Sequence, residues 1–357
     1  MLMKTLDYRI TFHTPAFLGN AEQDGQWRTP PFKALLRQWW RVAYAAQHAA
    51  SFTVDRMRAE EGELFGVASD QRGSSRKSAI RLRLDRWDAG LQHNWAGLDA
   101  SKVEHPDVKN KAGKPIAVGP QLYLGYGPLE FKKGNTALKN NAAIQAGESA
   151  TLSLACPEAA APLLETAISL IDGYGAIGGR SRNGWGSVSL SAADNDLPLE
   201  LAALPTTVQR PWRHALEYDW PHAIGADQNG PLIWQTTQSF QDWKGVIRQL
   251  AELKIGLRTQ FLFHSGNGTP RPEDRHWLSY PVTHHSVGPW GNQARLPNSL
   301  RFKVRAEPDG TVRGLIVHVP CLPPNEPFRP NRRAVEAVWS QVHAYLDQAP
   351  SLTRTPD

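Results

Sequence analysis

A segment between residues 171 and 190 combines many glycines with two arginines. Arg180 and Arg182 lie inside it with Ser181 between them, and six glycines surround them: Gly173, Gly175, Gly178, Gly179, Gly184 and Gly186. Glycine lets a backbone adopt positive φ and approach a ligand closely, and successive free amides form a concave site for anions. Arginine adds forked donors suited to phosphate. The segment therefore predicts a phosphate-holding loop, and the alternative is a flexible turn.

The run from Gly173 to Gly178 also satisfies G-x-G-x-x-G, the pattern of dinucleotide-binding folds. That pattern requires a strand before it and a helix after it. Here the order is reversed, because residues 162–171 have apolar side chains at helical spacing and residues 186–190 alternate like a strand. The sequence therefore argues against a dinucleotide site, and we expect no cofactor.

Residues 32–47 predict a helix with one cationic face. Lys33, Arg37 and Arg41 recur at every fourth position, so they form one stripe. Like charges at this spacing repel by about 0.2–0.5 kcal/mol per pair unless an anion lies against them. The stripe indicates a surface for an anionic partner, and the alternative is a solvated helix face.

The overall composition is compatible with a polyanionic partner. The 357 residues carry a formal net charge of +6, a mild lean towards such partners. The two cysteines, Cys156 and Cys321, cannot build a disulfide framework, which favours a reducing compartment. No apolar run approaches the ~18 residues of a membrane span, and no signal peptide opens the chain. We therefore expect a cytoplasmic protein that binds no membrane.

Hydrophobic periodicity predicts two α+β units in the chain. The first has a β-α…β-α-β order, a ferredoxin-like plan, interrupted by a long polar insertion at 91–114. The second resembles a degenerate repeat of the first, with helices at 240–257 and 332–346 on either side of two strands. We place a first domain at 1–191, a proline-bearing linker at 192–210 and a second domain at 211–357.

The predicted helix and the glycine segment resemble one known family. Pro31 to Arg41 reads PFKALLRQWWR, which is similar to the first-helix signature of the first RAMP subunit of type III-B (Cmr) CRISPR effector complexes. Ala34 stands where that family usually has glycine. A helix, a Gly-Arg-rich loop ending in Gly-Trp-Gly and then a strand resembles the glycine-rich loop of the RAMP superfamily. Residues 121–128 (QLYLGYGP) resemble a further family segment.

This resemblance implies two tandem ferredoxin-like (RRM-like) domains with insertions and a non-catalytic RNA-binding subunit in antiviral defence. The implied partners are CRISPR RNA, target RNA and the other subunits of the complex. Binding would be mainly electrostatic, with Trp40 or Tyr44 beside the stripe as possible stacking residues. The RNA-binding residues expected on this basis are Lys33, Arg37, Trp40, Arg41, Gly178, Gly179, Arg180, Ser181 and Arg182.

Two other classes of function stay open in the sequence. The RAMP superfamily contains metal-independent endoribonucleases, for which His13 and His48 are the candidate acid or base. Asp24 follows the first strand, where related subunits carry a target-cleaving aspartate. A purely structural adaptor, whose basic stripe contacts an acidic neighbouring subunit, is the other alternative. The loop histidines lack metal-ligand spacing, so we expect no metal: His264, His276, His284 and His285.

Overall fold

The computed structural model describes residues 2–68, 75–110, 112–194, 206–264 and 268–355. Two four-stranded antiparallel sheets, each accompanied by helices, form the framework of these residues. No helix in the described ranges is long and apolar enough to cross a membrane.

The first sheet is built from the N-terminal half of the chain. Its unit contains β1 (Met3–Phe12), α1 (Thr29–Gln47), α2 (Val54–Phe65), β2 (Arg81–Leu84), β3 (Val103–Lys109), β4 (Pro115–Val118), α3 (Pro120–Gly125), β5 (Leu129–Lys132), β6 (Asn135–Leu138), β7 (Ser149–Pro157), α4 (Ala161–Tyr174) and β8 (Val188–Ala192). The strand order is β2-β7-β1-β8, with antiparallel neighbours throughout. Because α1 connects β1 to β2 and α4 connects β7 to β8, this is the ferredoxin-like plan.

The second sheet repeats this plan with shorter strands. Its unit contains β9 (Gln209–Pro211), α5 (Trp212–Ala215), β10 (Ile224–Asp227), β11 (Gly230–Pro231), β12 (Ile233–Thr236), α6 (Trp243–Thr259), β13 (Gly268–Thr269), β14 (Ser286–Val287), β15 (Leu300–Ala306), β16 (Val312–His318), α7 (Asn325–Phe328), α8 (Arg332–Gln348) and β17 (Leu352–Arg354). The order β15-β16-β12-β17 is again antiparallel. The predicted α+β fold with two tandem ferredoxin-like units is confirmed.

Smaller elements are inserted between the strands of both sheets. β3 pairs with β4 and β5 with β6 as hairpins, β11-β10-β9 form a three-stranded sheet, and β13 pairs with β14. Single 3₁₀ turns lie at Ala49–Ser51, Glu158–Ala160, Thr206–Val208, Asp274–Trp277 and Gly288–Trp290. The polar stretch at 91–114, expected as an insertion, contains β3 and continues into the β3-β4 hairpin.

Side-chain caps set the starts of three long helices. Thr53 accepts a hydrogen bond from Arg56 N before α2, and Asn331 accepts one from Ala334 N before α8. Asp242 accepts from two amides at the start of α6, so this helix begins at Trp243 and not at residue 240 as predicted. Such caps satisfy amides that have no partner within the helix.

One hydrophobic core crosses from the second unit into the first. The first core joins β1, α1 and α4 through buried residues such as Phe12, Trp39 and Ile168. The second core joins α6, α8 and the second sheet, and it also takes in Trp95 and Trp185 from the first unit. The two units are therefore in contact through apolar packing near the glycine segment.

Strand β15 fixes the glycine segment to the second unit. Phe302 N donates to Arg182 O at 3.2 Å, and Val304 N donates to Ser187 Oγ at 2.9 Å. Between them Lys303 is only 1% exposed, and its Nζ donates to the carbonyls of Ile171 (3.1 Å), Asp172 (2.5 Å) and Val188 (2.7 Å). The end of α4, the glycine segment and the start of β8 are thus held against one strand.

The predicted linker falls largely outside this description. Residues 195–205 of the stretch 192–210 lie outside the described residues, so the proposed domain limits stay predictions. Strands β12 and β17 have no counterpart in the sequence analysis. They are only four and three residues long, too short for alternation to be recognised.

Candidate nucleic-acid interface

The glycine segment runs from the end of α4 to the start of β8. Between residues 178 and 184, four amides donate to carbonyls inside the protein: those of Gly179, Ser181, Asn183 and Gly184. Gly179 N donates to Phe17 O at 2.9 Å, and Asn183 N closes a turn onto Arg180 O at 2.8 Å. The row of successive free amides expected from the sequence is therefore absent between residues 178 and 184, and any anion must be held chiefly by side chains.

The glycines of this segment allow close packing against residues 15–18. Gly178 has φ +94°, and a Cβ there would lie 2.8 Å from Phe17 O. A Cβ on Gly179 would lie 3.3 Å from Phe17 Cβ, and one on Gly186, at φ +66°, would lie 1.9 Å from Ile177 O. Only glycine fits such positions. Gly178 and Gly179 consequently shape the turn, and their contact with phosphate stays a prediction.

Two aromatic residues considered for base stacking are buried. Trp185 is fully buried, with its ring centroid 5.4 Å from that of Phe17 and 5.7 Å from that of Trp243. Trp40 is 3% exposed and packs against Tyr44 at 4.8 Å and Phe65 at 5.8 Å. The expectation that Trp40 or Tyr44 stacks on bases is corrected, because both side chains belong to the core.

The cationic stripe of α1 already has an anion against part of it. Glu61 of α2, whose side chain is 6% exposed, accepts two hydrogen bonds from Arg41, at 2.8 and 2.9 Å. Arg37 Nε lies 3.0 Å from Glu61 Oε1 without hydrogen-bond alignment, and its Nη2 donates to Gly66 O at 2.9 Å. Lys33 is half-buried, and burial lowers its pKa. Arg37 and Arg41 therefore share one carboxylate, and the stripe of three cations retains excess positive charge.

A groove runs along the stripe and continues to the second unit. It consists of two adjoining cavities, of about 580 Å³ and 400 Å³, which share Ala34 and Arg41. We call it the basic groove, because its lining contains Lys33, Arg37, Arg41, Arg76, Arg182, Arg295 and Arg301. Asp219 also lines it. Basic side chains from both units thus converge on one concave surface.

Arg182 and Arg301 form the electrostatic centre of the groove. Arg182 comes from the glycine segment and Arg301 from β15, next to the backbone bond that joins the two. Burial lowers the pKa of both guanidinium groups, and the repulsion of Arg182 and Arg41 helps to bring that of Arg301 to about 9. Neither guanidinium forms an ion pair within the described residues, and Arg301 Nε is buried without a hydrogen bond. Such a like-charge pair is suited to an anion.

An aromatic ring lies on the wall of the same groove. The Arg41 guanidinium carbon is 4.3 Å from the ring centroid of Trp220, and that of Arg58 is 5.3 Å away. Trp220 is half-buried and lines the 400 Å³ cavity. Aromatic faces beside arginines are common in surfaces that bind single-stranded nucleic acid. The other aromatic residues that line the groove, Phe65, Trp277 and Trp339, are buried, so Trp220 is the lining aromatic that a ligand would meet most readily.

The two arginines of the glycine segment point to different surroundings. Arg182 lines the basic groove, whereas Arg180 does not. Arg180 adopts φ +58° and its guanidinium lies against Gly127. Ser181, between them, is half-buried in the turn. The structure therefore brings Lys33, Arg37, Arg41 and Arg182 together and separates them from Arg180.

Several groove residues were missed in the sequence. Arg295 and Trp220 belong to the second unit, where no charge periodicity marks them. Arg301 alternates with Lys303 and Arg305 along a strand, but this pattern does not show that Arg301 faces α1. Arg76 follows a basic stretch and pairs with Glu63 at 2.7 Å. The available signal for Trp220 was the Asp-Trp-Pro segment at 219–221, which resembles the family but carries no indication of its position in the fold.

The two histidines considered for catalysis have separate contacts, and no contact between them occurs in the described residues. His13 Nε2 is 2.8 Å from Ser189 Oγ, and burial together with nearby Lys303 lowers its pKa to about 4. His48 caps the far end of α1, its ring 4.3 Å from that of Tyr44. The structure therefore does not bring the two histidines together.

Asp24 and the loop histidines have structural partners. Asp24 accepts hydrogen bonds from Asn141 N at 2.9 Å and Asn141 Nδ2 at 3.0 Å. His276 is buried, with Nδ1 accepting from Glu273 N and Nε2 3.1 Å from His285 O. Within the described part of the chain, no group of three or more His, Cys, Asp or Glu side chains is arranged to hold a metal ion.

Similarity to solved structures is broad but weak. Cmr1 from Pyrococcus furiosus (apo form) is 13% identical, with 89% of this chain and 88% of that chain covered and a TM-score of 0.43. Chains of two type III-B Cmr-beta structures are each 12% identical over 96% of this chain and 99% of theirs. One complex is bound to cognate target RNA and AMPPnP in the presence of ssDNA (TM-score 0.45) and the other to cognate target RNA (0.42). No curated protein matches the sequence.

The family assignment depends on a family model and not on those structures, since their TM-scores lie below 0.5. The model of the RAMP superfamily matches residues 9–189, a little over half of the 357 residues. This range runs from β1 into β8 and includes α1 and the glycine segment. The chain belongs to the RAMP superfamily.

Proposed function

We propose that this protein is a non-catalytic RNA-binding subunit of a type III-B (Cmr) CRISPR effector complex. Its basic groove holds the sugar-phosphate backbone of single-stranded RNA, either the CRISPR RNA or the target RNA. The observation that carries the proposal is that Arg182 of the first unit and Arg301 of the second line the same groove. Neither guanidinium forms an ion pair within the described residues. Membership of the RAMP superfamily supports RNA as the anion.

The charges of the groove favour a chain of phosphates over a single small anion. Lys33, Arg37 and Arg41 follow one side of α1 over about two helical turns, and Arg182 and Arg301 continue the positive surface beyond Arg41. A polyanion that neutralises several cations gains affinity by counterion release. The half-buried ring of Trp220 would offer a base a surface for stacking beside the backbone.

The assignment to a type III-B complex is supported by the first-helix motif, PFKALLRQWWR. In the fold this motif supplies the groove cations Lys33, Arg37 and Arg41, while Trp39 and Trp40 anchor the helix in the core. The remaining surface would contact other subunits of the complex, which would act in the cytoplasm.

Binding without cleavage is supported by the surroundings of the candidate catalytic groups. A base whose pKa is about 4, such as His13, is a weak proton acceptor near neutral pH. His48 follows the last residue of α1 and packs against Tyr44, and Asp24 is held by Asn141. None of the three lines the basic groove.

The test is binding of labelled single-stranded RNA without metal, followed on native and denaturing gels across a salt series. Arg182→Gln and Arg301→Gln should each weaken binding about 10- to 100-fold, because a charged hydrogen bond contributes about 1.5–3 kcal/mol. Each lost phosphate contact should reduce the slope of log K against log salt by about 0.7. The matched control is Arg248→Gln, on the exposed face of α6, where Arg248 pairs with Glu252.

Three outcomes would contradict the proposal. Equal affinity and salt slope in both groove variants would remove the groove as the site. Shortened RNA on the denaturing gel would instead indicate the metal-independent endoribonuclease. If the wild-type protein bound no RNA but associated with a partner subunit after nuclease treatment, it would be an adaptor.

A further inference from the structure

Arg180 belongs to a second group of cations on the other side of the glycine segment. Its side chain is exposed, and its guanidinium would lie 3.3 Å from a Cβ placed on Gly127. Its backbone carbonyl closes the turn at 180–183 by accepting from Asn183 N. No described residue accepts a hydrogen bond from the Arg180 guanidinium or forms an ion pair with it. The turn thus presents an unneutralised cation outside the basic groove.

Lys254 of α6 lies against the same turn. Its Nζ donates to Asn183 Oδ1 at 2.5 Å, and Asn183 Nδ2 in turn donates to Leu124 O at 2.7 Å. The Nζ is also 5.9 Å from the ring centroid of Phe302. Asn183 therefore fixes the ammonium group beside Arg180 without neutralising it, because an amide oxygen carries no formal charge.

Arg258 follows Lys254 by one turn of α6, on the same face of the helix. Its Nε is buried and has no hydrogen-bond partner in the described residues. Another cation that acts on Arg258 is Arg275. Its charge is balanced by an ion pair, in which Arg275 Nη1 lies 2.5 Å from Asp107 Oδ2. No carboxylate in the described residues forms an ion pair with Arg180, Lys254 or Arg258.

Two arginines disfavour the charged form of Lys254 in the absence of an anion. Burial lowers the pKa of Arg180, Lys254 and Arg258, and the positive charges of the two arginines lower that of Lys254 further. The carboxylate that acts on Arg258, that of Asp107, is already paired with Arg275, so the three cations retain positive charge for an external ligand. Phosphate oxygens are matched to forked guanidinium donors and to an ammonium group.

We propose that Arg180, Lys254 and Arg258 form a second phosphate site, which holds the same RNA strand after it crosses the turn at 180–183 from the basic groove. This inference depends on the proposed function, since the strand must first occupy the groove. Arg182 lines the basic groove and Arg180 belongs to the second site, and only Ser181 separates them in the chain. The RNA strand would therefore pass from one site to the other across this turn. The second site lengthens the stretch of RNA that one subunit binds.

The test compares a short and a long RNA, oligouridylates of four and twelve nucleotides, by fluorescence anisotropy at fixed salt. The long RNA reaches both sites, and the short one occupies the groove alone. In Arg258→Gln the ratio of the affinity for the long RNA to that for the short RNA (the length advantage) should fall about ten-fold. The affinity for the short RNA itself should stay within about two-fold of the wild-type value. In Arg182→Gln both affinities should fall. Arg248→Gln, on the same helix, should behave as wild type.

Arg180→Gln provides an independent variant, because its exposed side chain can be replaced without disturbing the core. It should lose the same length advantage. If wild-type protein binds the long RNA, Arg182→Gln weakens it, and both Arg180→Gln and Arg258→Gln keep the full length advantage, the second site is refuted while the proposed function stands. If wild-type protein binds neither RNA, both proposals fail.

Discussion

Replacing Lys303 with methionine should destabilise the contact between the two units. Methionine preserves the length and apolar stem of the side chain but removes three hydrogen bonds to the carbonyls of Ile171, Asp172 and Val188. Burial lowers the pKa of Lys303 to about 7, so its amino group is only partly protonated near neutral pH. A hydrogen bond contributes about 0.5–1.5 kcal/mol from a neutral donor and about 1.5–3 kcal/mol from a charged one, so the three contribute about 2–9 kcal/mol in total. Burying an ammonium group costs several kcal/mol. We therefore expect Lys303→Met to lower the free energy of unfolding by about 3 kcal/mol.

The assay is urea denaturation followed by tryptophan fluorescence, with Lys244→Met as the matched control. Lys244 is exposed and lies 3.3 Å from Asp242 at the start of α6, so its replacement should change stability by no more than about 0.5 kcal/mol. RNA affinity should fall in Lys303→Met as well, because Arg182 and Arg301 are aligned by the same strand. If Lys303→Met lowered the free energy of unfolding by less than about 1 kcal/mol, the conclusion that Lys303 stabilises the contact between the two units would be refuted.

Three further predictions concern the first unit. Trp40→Ala should lower the free energy of unfolding by about 3–5 kcal/mol but leave the RNA affinity of the folded protein unchanged; weaker RNA binding at full stability would contradict the burial of this ring. Glu61→Gln should cost about 3–5 kcal/mol in urea denaturation, because Arg37 and Arg41 lose their shared carboxylate, and a neutral effect would count against this ion pair. Burial lowers the pKa of His13 from 6.5, its value in the unfolded chain, to about 4 in the folded protein. The unfolded state therefore binds more protons between these values, and the free energy of unfolding should rise by up to about 3 kcal/mol as the pH increases from 4 to 6.5. His13→Gln should flatten this pH dependence, and an unchanged profile would exclude His13 as its source.

Local patterns predicted the main helices and the type of fold. The helix at 32–47 was recognised from apolar spacing, and the structure places its end at Gln47 as expected. The β-α…β-α-β order of the first unit followed from periodicity, whereas the second unit was predicted as a degenerate repeat with two strands between two helices. Short strands such as β17 could not be predicted, because three residues carry no periodic signal.

The candidate site was only partly accessible from sequence. The stripe on α1 is a property of one helix, so spacing alone identified it. The pairing of Arg182 with Arg301 depends on how β15 packs against the glycine segment, which spacing cannot predict. The prediction that Trp40 faces a ligand was wrong for a similar reason. A residue beside a charged stripe can still face the core, and the contacts of Trp40 with Tyr44 and Phe65 show that it does.

The backbone hydrogen bond from Phe302 to Arg182 joins the two units beside two guanidinium groups that repel each other. These are Arg182 of the first unit and Arg301 of the second. An RNA phosphate between Arg182 and Arg301 would cancel that repulsion and touch both units at once. Binding and inter-unit docking are therefore thermodynamically linked, and RNA at 100 times its Kd would add about 2.7 kcal/mol to the apparent stability. The RNA-free subunit should accordingly show faster amide exchange in β15 than the loaded one, so that RNA completes the fold it binds to.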